Sequence, residues 1–360
     1  MKNDVYLTSL FTASSLGCGN VETLENYLKK DPPGMGLVSG LLPKREVYFG
    51  SVPCELPEIG LSKDNTRTNR LLRLALSQME DRYKEILSRY SPERIGVVIG
   101  ASNTGVHEAQ SYIEKWIETG KKDEDFDFSM LALGSPAEFL ASELGVSGPV
   151  YTVSTACSSA PKAMMSARRL IEHGKADVVI TGGVDGVCRF AMNGFESLGA
   201  LSAGRCRPLA PDRDGINLGE GVALFTMEMG VDGGLKFFGG ESSDAYHATA
   251  PHPEGLGAER AMLNALSDAE LESKDIDYIN LHGTGTVAND DMELKAVKRV
   301  FQNSDVFYES TKSLTGHCLG AAGAVEAAIC YLLVKNGKCN RAMSNSFAFG
   351  GSNASIIISA

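Results

Sequence analysis

YTVSTACSSAPKAMMSARRL, Tyr151–Leu170, reads as a strand that turns into a helix with a cysteine at the turn. Val150, Tyr151 and Val153 are β-branched or aromatic and favour a strand, while the Ala- and Met-rich run from Ala160 favours a helix. Cys157 is therefore expected at or near a helix N-terminus. There, unpaired N–H groups and the positive end of the macrodipole favour a thiolate, and hence a nucleophile near neutral pH. A cysteine flanked by small residues equally suits a compact core position. What separates the two readings lies further along, in two His-bearing loops and a Gly-rich loop near the C-terminus.

Strands and helices alternate on both sides of this stretch, which indicates an α/β protein. Upstream, Val5–Leu10 reads as a strand, Asn20–Lys30 as a short helix, and residues 31–60, rich in Pro and Gly, as surface connection. Lys63–Arg94 is helical in pattern, with Arg67, Arg70 and Arg73 repeating every three residues on what is by default a solvated face. Arg94–Ile99 is a buried-type strand followed by GASNTG. That loop has the position of a phosphate cradle but matches neither G-x-G-x-x-G nor the Walker pattern. His107–Phe128 reads as an amphipathic helix and an acidic loop.

Downstream, Ala176–Gly183 is a continuous apolar run of the kind covered on both faces, and Leu209–Glu228 a charged turn, a Gly-rich loop and a strand. A first half thus closes near residue 230. The second half repeats the alternation, with a start at Leu235–Gly240, a helix at Glu259–Ala269, a strand at Ile276–Leu281 ending in His282–Thr286, and a helix at Glu293–Phe301. A loop at Ser310–His317, an Ala-rich helix at Gly320–Lys335, and a loop and final apolar strand complete it. Residues 1–230 and 231–360 are the expected halves.

The 360 residues are 43% hydrophobic and 22% charged, enough for two core units. A net charge of −11 argues against a nucleic-acid binder, which needs a basic surface. The N-terminus MKNDVYLTSLFT, charged at Lys2 and Asp4, predicts no signal peptide, and no apolar run reaches the length of a membrane span. Eight cysteines show neither a CxxC pair nor zinc-ligand spacing, which points to a reducing cytoplasm.

Six ordered stretches carry a resemblance. TACSS around Cys157, DRDGINLGEG at Asp212–Gly221, SSDAYHATAP at Ser242–Pro251, HGTGTVANDDMEL at His282–Leu294, STKSLTGHCLGAAG at Ser310–Gly323 and NSFAFGGSNAS at Asn345–Ser355 resemble the β-ketoacyl-acyl-carrier-protein synthases. Their order and spacing are those of the elongating Cys-His-His branch. The resemblance implies a thiolase fold: two similar α/β halves with mixed five-stranded sheets in a layered arrangement, as a homodimer or a heterodimer with a related subunit.

It also implies a decarboxylative Claisen condensation, in fatty acid or in polyketide or polyene biosynthesis. Cys157 would take the acyl chain from an acyl carrier protein, and His282 and His317 would hold the malonyl thioester carbonyl. Two neutral imidazole N–H donors suit the enolate left by loss of carbon dioxide, so a metal is unnecessary. Lys312 would steady His317 and tune the local charge. Glu326 would pair with it, the other reading being an exposed helix position. Asp290 and Glu293 would brace the site, and Thr284 and Thr286 would bind the phosphopantetheine arm that the carrier supplies, no cofactor being covalently bound. Phe349 would gate the site and add its N–H to that of Cys157 as an oxyanion hole.

Lys63, Arg67, Arg70 and Arg205 are the candidates for carrier docking. The sequence departs from the family at HGTGTV, where HGTSTP is usual, at a shortened Leu201–Pro211, and at Ala348, where glycine is usual before the gate. That alanine is expected to stiffen the gate if opening needs a positive φ. A non-catalytic chain-length partner is the alternative, but such subunits typically lose the nucleophile that Cys157 provides.

Overall fold

The computed structural model describes residues 4–60, 62–231, 233–244, 246–302 and 304–360, so Lys2 and, within SSDAYHATAP, Ala245 lie outside it. The first strands are β1 (Val5–Ser14), β2 (Gly17–Cys18), β3 (Met35–Val38), β4 (Val47–Gly50), β5 (Ile95–Gly100), β6 (Val150–Val153) and β7 (Val178–Asp185). They are followed by β8 (Leu218–Gly219), β9 (Gly221–Met229), β10 (Leu235–Ser243), β11 (Tyr278–Asn280), β12 (Phe307–Glu309), β13 (Arg341–Ala348) and β14 (Ser352–Ser359).

The main sheet runs β12-β11-β13-β14-β10-β1-β9-β7-β5-β6, with β2 on the end of β1. One five-strand arrangement is used twice in this path. Counted within each half, the order is 3-2-4-5-1 for both β6-β5-β7-β9-β1 and β12-β11-β13-β14-β10. In each, strands 3, 2 and 4 are parallel, and strand 5 runs antiparallel between 4 and 1. The two sets join edge to edge through β1 and β10, paired at Tyr6↔Lys236 and Leu7↔Leu235.

Side chains of a strand alternate between faces, and here both faces are covered. In β5, Val98 packs on one side, while Val97 and Ile99 pack on the other against Leu71, Leu72 and Leu140 of helices Arg67–Gln78 and Ser135–Leu144. The helices Ser159–Glu172 and Ala322–Lys335 share one core with Phe225 and Met227 of the first set and Ile356 and Ile358 of the second. Ala322–Lys335 is buried all round as far as Val334, as a helix apolar on every face must be. Helices Leu256–Ala269 and Val287–Val300 cover the far face of the second set. The result is a helix–sheet–helix–sheet–helix stack, the expected layered α/β architecture.

Several elements differ from the sequence reading. The helical stretch after Lys63 breaks at Met79 into Arg67–Gln78 and Glu80–Arg89. Residues 31–60 are more than connection, since β3 and β4 pair there and β4 adds β8. Ser310–His317 is partly helical, at Lys312–Thr315. The segment before the final strand is itself the strand β13, hidden because its buried Ser344, Asn345 and Ser346 are polar. Asn345 resolves its burial by donating to Glu293 at 3.3 Å and accepting from Ser355 at 2.8 Å. Cys18 and Cys54 form a disulfide, a pairing that cysteine spacing did not reveal. No helix among the described residues is long and apolar enough to cross a membrane.

Candidate active site

Cys157, His282, the Lys312–His317 turn and Phe349 all follow the carboxyl ends of strands β6, β11, β12 and β13. Open α/β sheets gather ligand sites at such ends. Between β6 and its helix the chain turns sharply, with Ala156 in the left-handed region at φ 51°. A non-glycine residue held there is a local strain that the surroundings must impose. Ser159 helps impose it: its Oγ donates to Ala156 O at 2.6 Å and accepts from Thr155 N at 2.9 Å. Cys157 lies two residues before the first helical residue, buried.

His317 is held by its backbone, which donates to Asn217 O at 2.7 Å and accepts from Gly219 N at 3.1 Å. Its Nε2 lies 3.0 Å from Cys157 Sγ. The His282 ring stands edge-on to that of His317, with centroids 5.4 Å apart. The two oxygens of Glu293 accept His282 N at 2.8 Å and Gly283 N at 2.7 Å. Asp290 accepts Leu209 N at 2.9 Å and Gly285 N at 3.2 Å. Lys312 and Glu326 form a fully buried ion pair, which removes the exposed reading of Glu326.

Burial dominates the electrostatics. It pushes the Cys157 thiol up to about 11 despite the opposing Lys312 charge, so the resting sulfur is a thiol and not the expected thiolate. It also holds both histidines well below their usual value, helped by the Lys312 charge, so both rings are neutral. The Nδ1 atoms of both have no hydrogen-bond partner within the described protein. Because a ring's tautomer is set by the bond its other nitrogen makes, Nε2 of either ring is free to be bare in one step and protonated in another.

Among the described residues, Cys157, His282 and His317 are the group whose ligand atoms, all within 4.8 Å of one another, could share a metal ion. No protein group orients either ring from Nδ1, as an outer-shell carboxylate or carbonyl often does for a ligating histidine.

A cavity of about 240 Å³ opens onto the three, walled by Phe195, Leu198, Ile216, Thr284, Thr286 and Phe349 among others. The Thr284 and Thr286 hydroxyls lie 3.0 Å apart. Phe349 is 40% exposed and meets the Phe195 ring at 6.0 Å. Ala348 has φ −103°, and the positive φ values of this turn fall on Gly350 and Gly351, so the alanine is unstrained here.

Two of the four docking candidates do not present a free guanidinium. Arg67 Nε donates at 2.6 Å to the buried Glu220, and Arg70 bonds Leu56 O, Pro57 O and Glu58. Arg73 pairs with Glu143, so all three arginines of the stripe are paired while staying partly exposed. Lys63 and Arg205 remain exposed, the latter donating from Nε to Ser313 O at 2.7 Å. Sequence reasoning missed Asp185, a fully buried carboxylate on β7, because its partners lie 82 to 135 residues away.

Neutral buried histidines give a signed pH effect. A folded-state value below the unfolded one means that the unfolded chain binds more protons, so the contribution is intact above about pH 6.5 and is lost as pH falls from there. His317→Asn is expected to flatten this loss by up to about 1.4 kcal/mol per pH unit. The opposing slope from Glu293 and Glu326, both pushed up to about 7 by burial, is common to the two proteins. Urea denaturation at pH 7.5, 6.5 and 5.5 reads the difference, and parallel slopes would refute neutral burial.

The N-terminal domain of β-ketoacyl synthases matches residues 61–230, and their C-terminal domain matches 234–344. The 3-oxoacyl-[acyl-carrier-protein] synthase 2 of Staphylococcus aureus strain COL is 30% identical, over 98% of this chain and 97% of its own. Nodulation protein E of Rhizobium meliloti is 35% identical over 72% of this chain and 74% of its own. A chain from the solved complex of the ketosynthase ApeO with its chain length factor ApeC, from Xenorhabdus doucetiae, superposes with TM-score 0.95 at 37% identity, covering 99% of this chain and 98% of that one.

Proposed function

We propose, from the premise that the chain belongs to the β-ketoacyl synthase family and is a condensing acyltransferase of thiolase fold, that Cys157, His282 and His317 join an acyl chain to a malonyl unit, each delivered by an acyl carrier protein. The observation that carries the assignment of roles is the 3.0 Å contact of Cys157 Sγ with His317 Nε2, with His282 facing the same ring.

In the first stage the sulfur attacks the acyl thioester carbonyl. Its proton passes to the bare Nε2 of His317 and on to the departing pantetheine thiolate. The N–H groups of Cys157 and Phe349 hold the oxyanion. Between the stages His317 exchanges its Nδ1 proton for one on Nε2 through solvent, and in the second stage the malonyl thioester oxygen receives N–H bonds from Nε2 of both rings while the C–C bond to the carboxylate breaks. The resulting enolate carbon attacks the Cys157 thioester, the C–S bond breaks, and the thiol is restored by a proton from solvent. Low-dielectric burial makes both donors more effective than they would be in water.

Thr284 and Thr286 line the cavity where the phosphopantetheine arm would pass. Lys63 and Arg205 are the remaining basic groups for carrier docking. A related subunit is proposed as partner, since ApeO is solved with a chain length factor. The intact trio favours the catalytic role over the chain-length one. A cytoplasmic location fits the six free cysteines, with the Cys18–Cys54 pair as the exception.

The test is a panel of acyl chains on carrier proteins, with the acyl group on Cys157 read by mass spectrometry and product by turnover. His282→Ala is expected to lower malonyl decarboxylation about 100- to 1,000-fold while leaving acylation within about tenfold; His317→Ala should slow both. Condensation at the parent rate by both variants would overturn the two-histidine assignment.

A further inference from the structure

The GASNTG loop at Gly100–Gly105 follows a strand as a phosphate cradle does, but its anion position is filled from within. The carboxylate of Asp185, the last residue of β7, accepts Ser102 N at 3.0 and 3.1 Å, Ser102 Oγ at 2.7 Å and Asn103 N at 2.6 Å. It also accepts Gly320 N at 2.6 Å, three residues beyond His317. One carboxylate thus ties together the end of β7, the loop after β5 and the turn that follows His317.

The same place is packed without room for a methyl group. A Cβ on Gly100 would lie 2.3 Å from Ala160 N, and one on Gly183 would lie 2.6 Å from Ala160 Cβ and 3.2 Å from Ala321 Cα. Ala160 belongs to the first turn of the helix that presents Cys157. The cysteine helix and the histidine turn therefore rest on one clamp, in which a shift of either is felt by the other. Burial costs Asp185 solvation and pushes it up to about 7, while its four donors pull the other way.

We propose that Asp185 is a positioning residue: by binding the Ser102–Asn103 loop and Gly320 at once, it sets the distance between Cys157 Sγ and His317 Nε2. It touches no reacting atom and acts through the two residues that do. As a deepening of the condensing reading, this rests on that reading for its turnover measurement only.

Asp185→Asn keeps the shape but turns an NH2 group toward backbone N–H donors, so part of the clamp opens. Expected is a fall in kcat of about 10- to 100-fold, with KM for the malonyl carrier within about twofold, since misplacement of a reacting pair by about 1 Å has that scale. A second readout needs no turnover: the rate of Cys157 alkylation by iodoacetamide at pH 7.5, followed by intact mass, in the parent, Asp185→Asn, His317→Ala and the double variant. If Asp185 acts through His317, the substitution changes the rate several-fold in the parent but less than about twofold once His317 is gone. An equal factor in both backgrounds, or unchanged kcat, overturns the proposal. Should Asp185→Asn not fold, Ser102→Ala, which removes the 2.7 Å donor to Asp185 together with the 3.3 Å bond that Ser102 Oγ accepts from Gly320 N, must show the same pattern more weakly. A parent that alkylates but never condenses would instead fault the functional reading and leave the alkylation comparison intact.

Discussion

Cys157→Ser is expected to produce no detectable acyl-enzyme and to lower condensation at least about a thousandfold, because the variant keeps the geometry and loses only the nucleophile. A thiol raised to about 11 still surrenders its proton to a neutral imidazole 3.0 Å away as the carbonyl is attacked. A serine hydroxyl in the same dry setting is several units less acidic and a weaker nucleophile. Intact-mass measurement after exposure to acyl carrier protein reads the covalent step, and product formation reads the whole cycle. Full condensation by the serine variant would refute the assignment of Cys157.

The largest stability effect is expected at Lys312. Lys312→Met would leave Glu326, 1% exposed, as an unpaired buried carboxylate, at a cost of about 3–5 kcal/mol. The penalty has a pH signature. Glu326 is already pushed up to about 7 by burial, and without the lysine it rises further. A raised folded-state value means that the folded form holds its proton longer, so the deficit is small at pH 5, where the carboxyl is protonated, and grows as pH rises through 7. Lys312→Met combined with Glu326→Leu is expected to recover most of the loss, as replacing both partners of a buried pair often does. Urea melts of the two single variants and the double variant give the coupling. Strictly additive losses would mean that the pair is not a unit.

What could be read from the chain depended on the reach of each signal. The strand–turn–helix around Cys157 and the loops bearing His282 and His317 were legible because each motif is contiguous and its local propensities agree with its structure. Glu326 was legible as a partner of Lys312 only through the resemblance, because nothing local decides whether a carboxylate in an Ala-rich helix faces inward. The strand β13 was not legible, since SNS resembles a loop until Glu293 and Ser355 are seen to satisfy its Asn345. Arg67 looked solvated because Glu220 lies 153 residues away. The clamp at Asp185 combines two such distant partners. Long-range pairing of polar groups leaves no periodic trace, which is why the structure departs from the sequence reading at β13 and Arg67.

The placement of β1 between β9 and β10 has a consequence in time. Thr8 finds its partner Thr226 only 218 residues later. At the usual pace of synthesis, β1 waits about 10 to 40 s for the neighbours that flank it. During that interval Val5, Leu7, Leu10 and Phe11 form an unpaired apolar edge, the kind that recruits chaperones or other nascent chains. Trimming a terminal strand usually shortens one side of a sheet. Here removal of β1 would part the sheet in the middle and leave two separate sheets, each with a new open edge at β9 or β10.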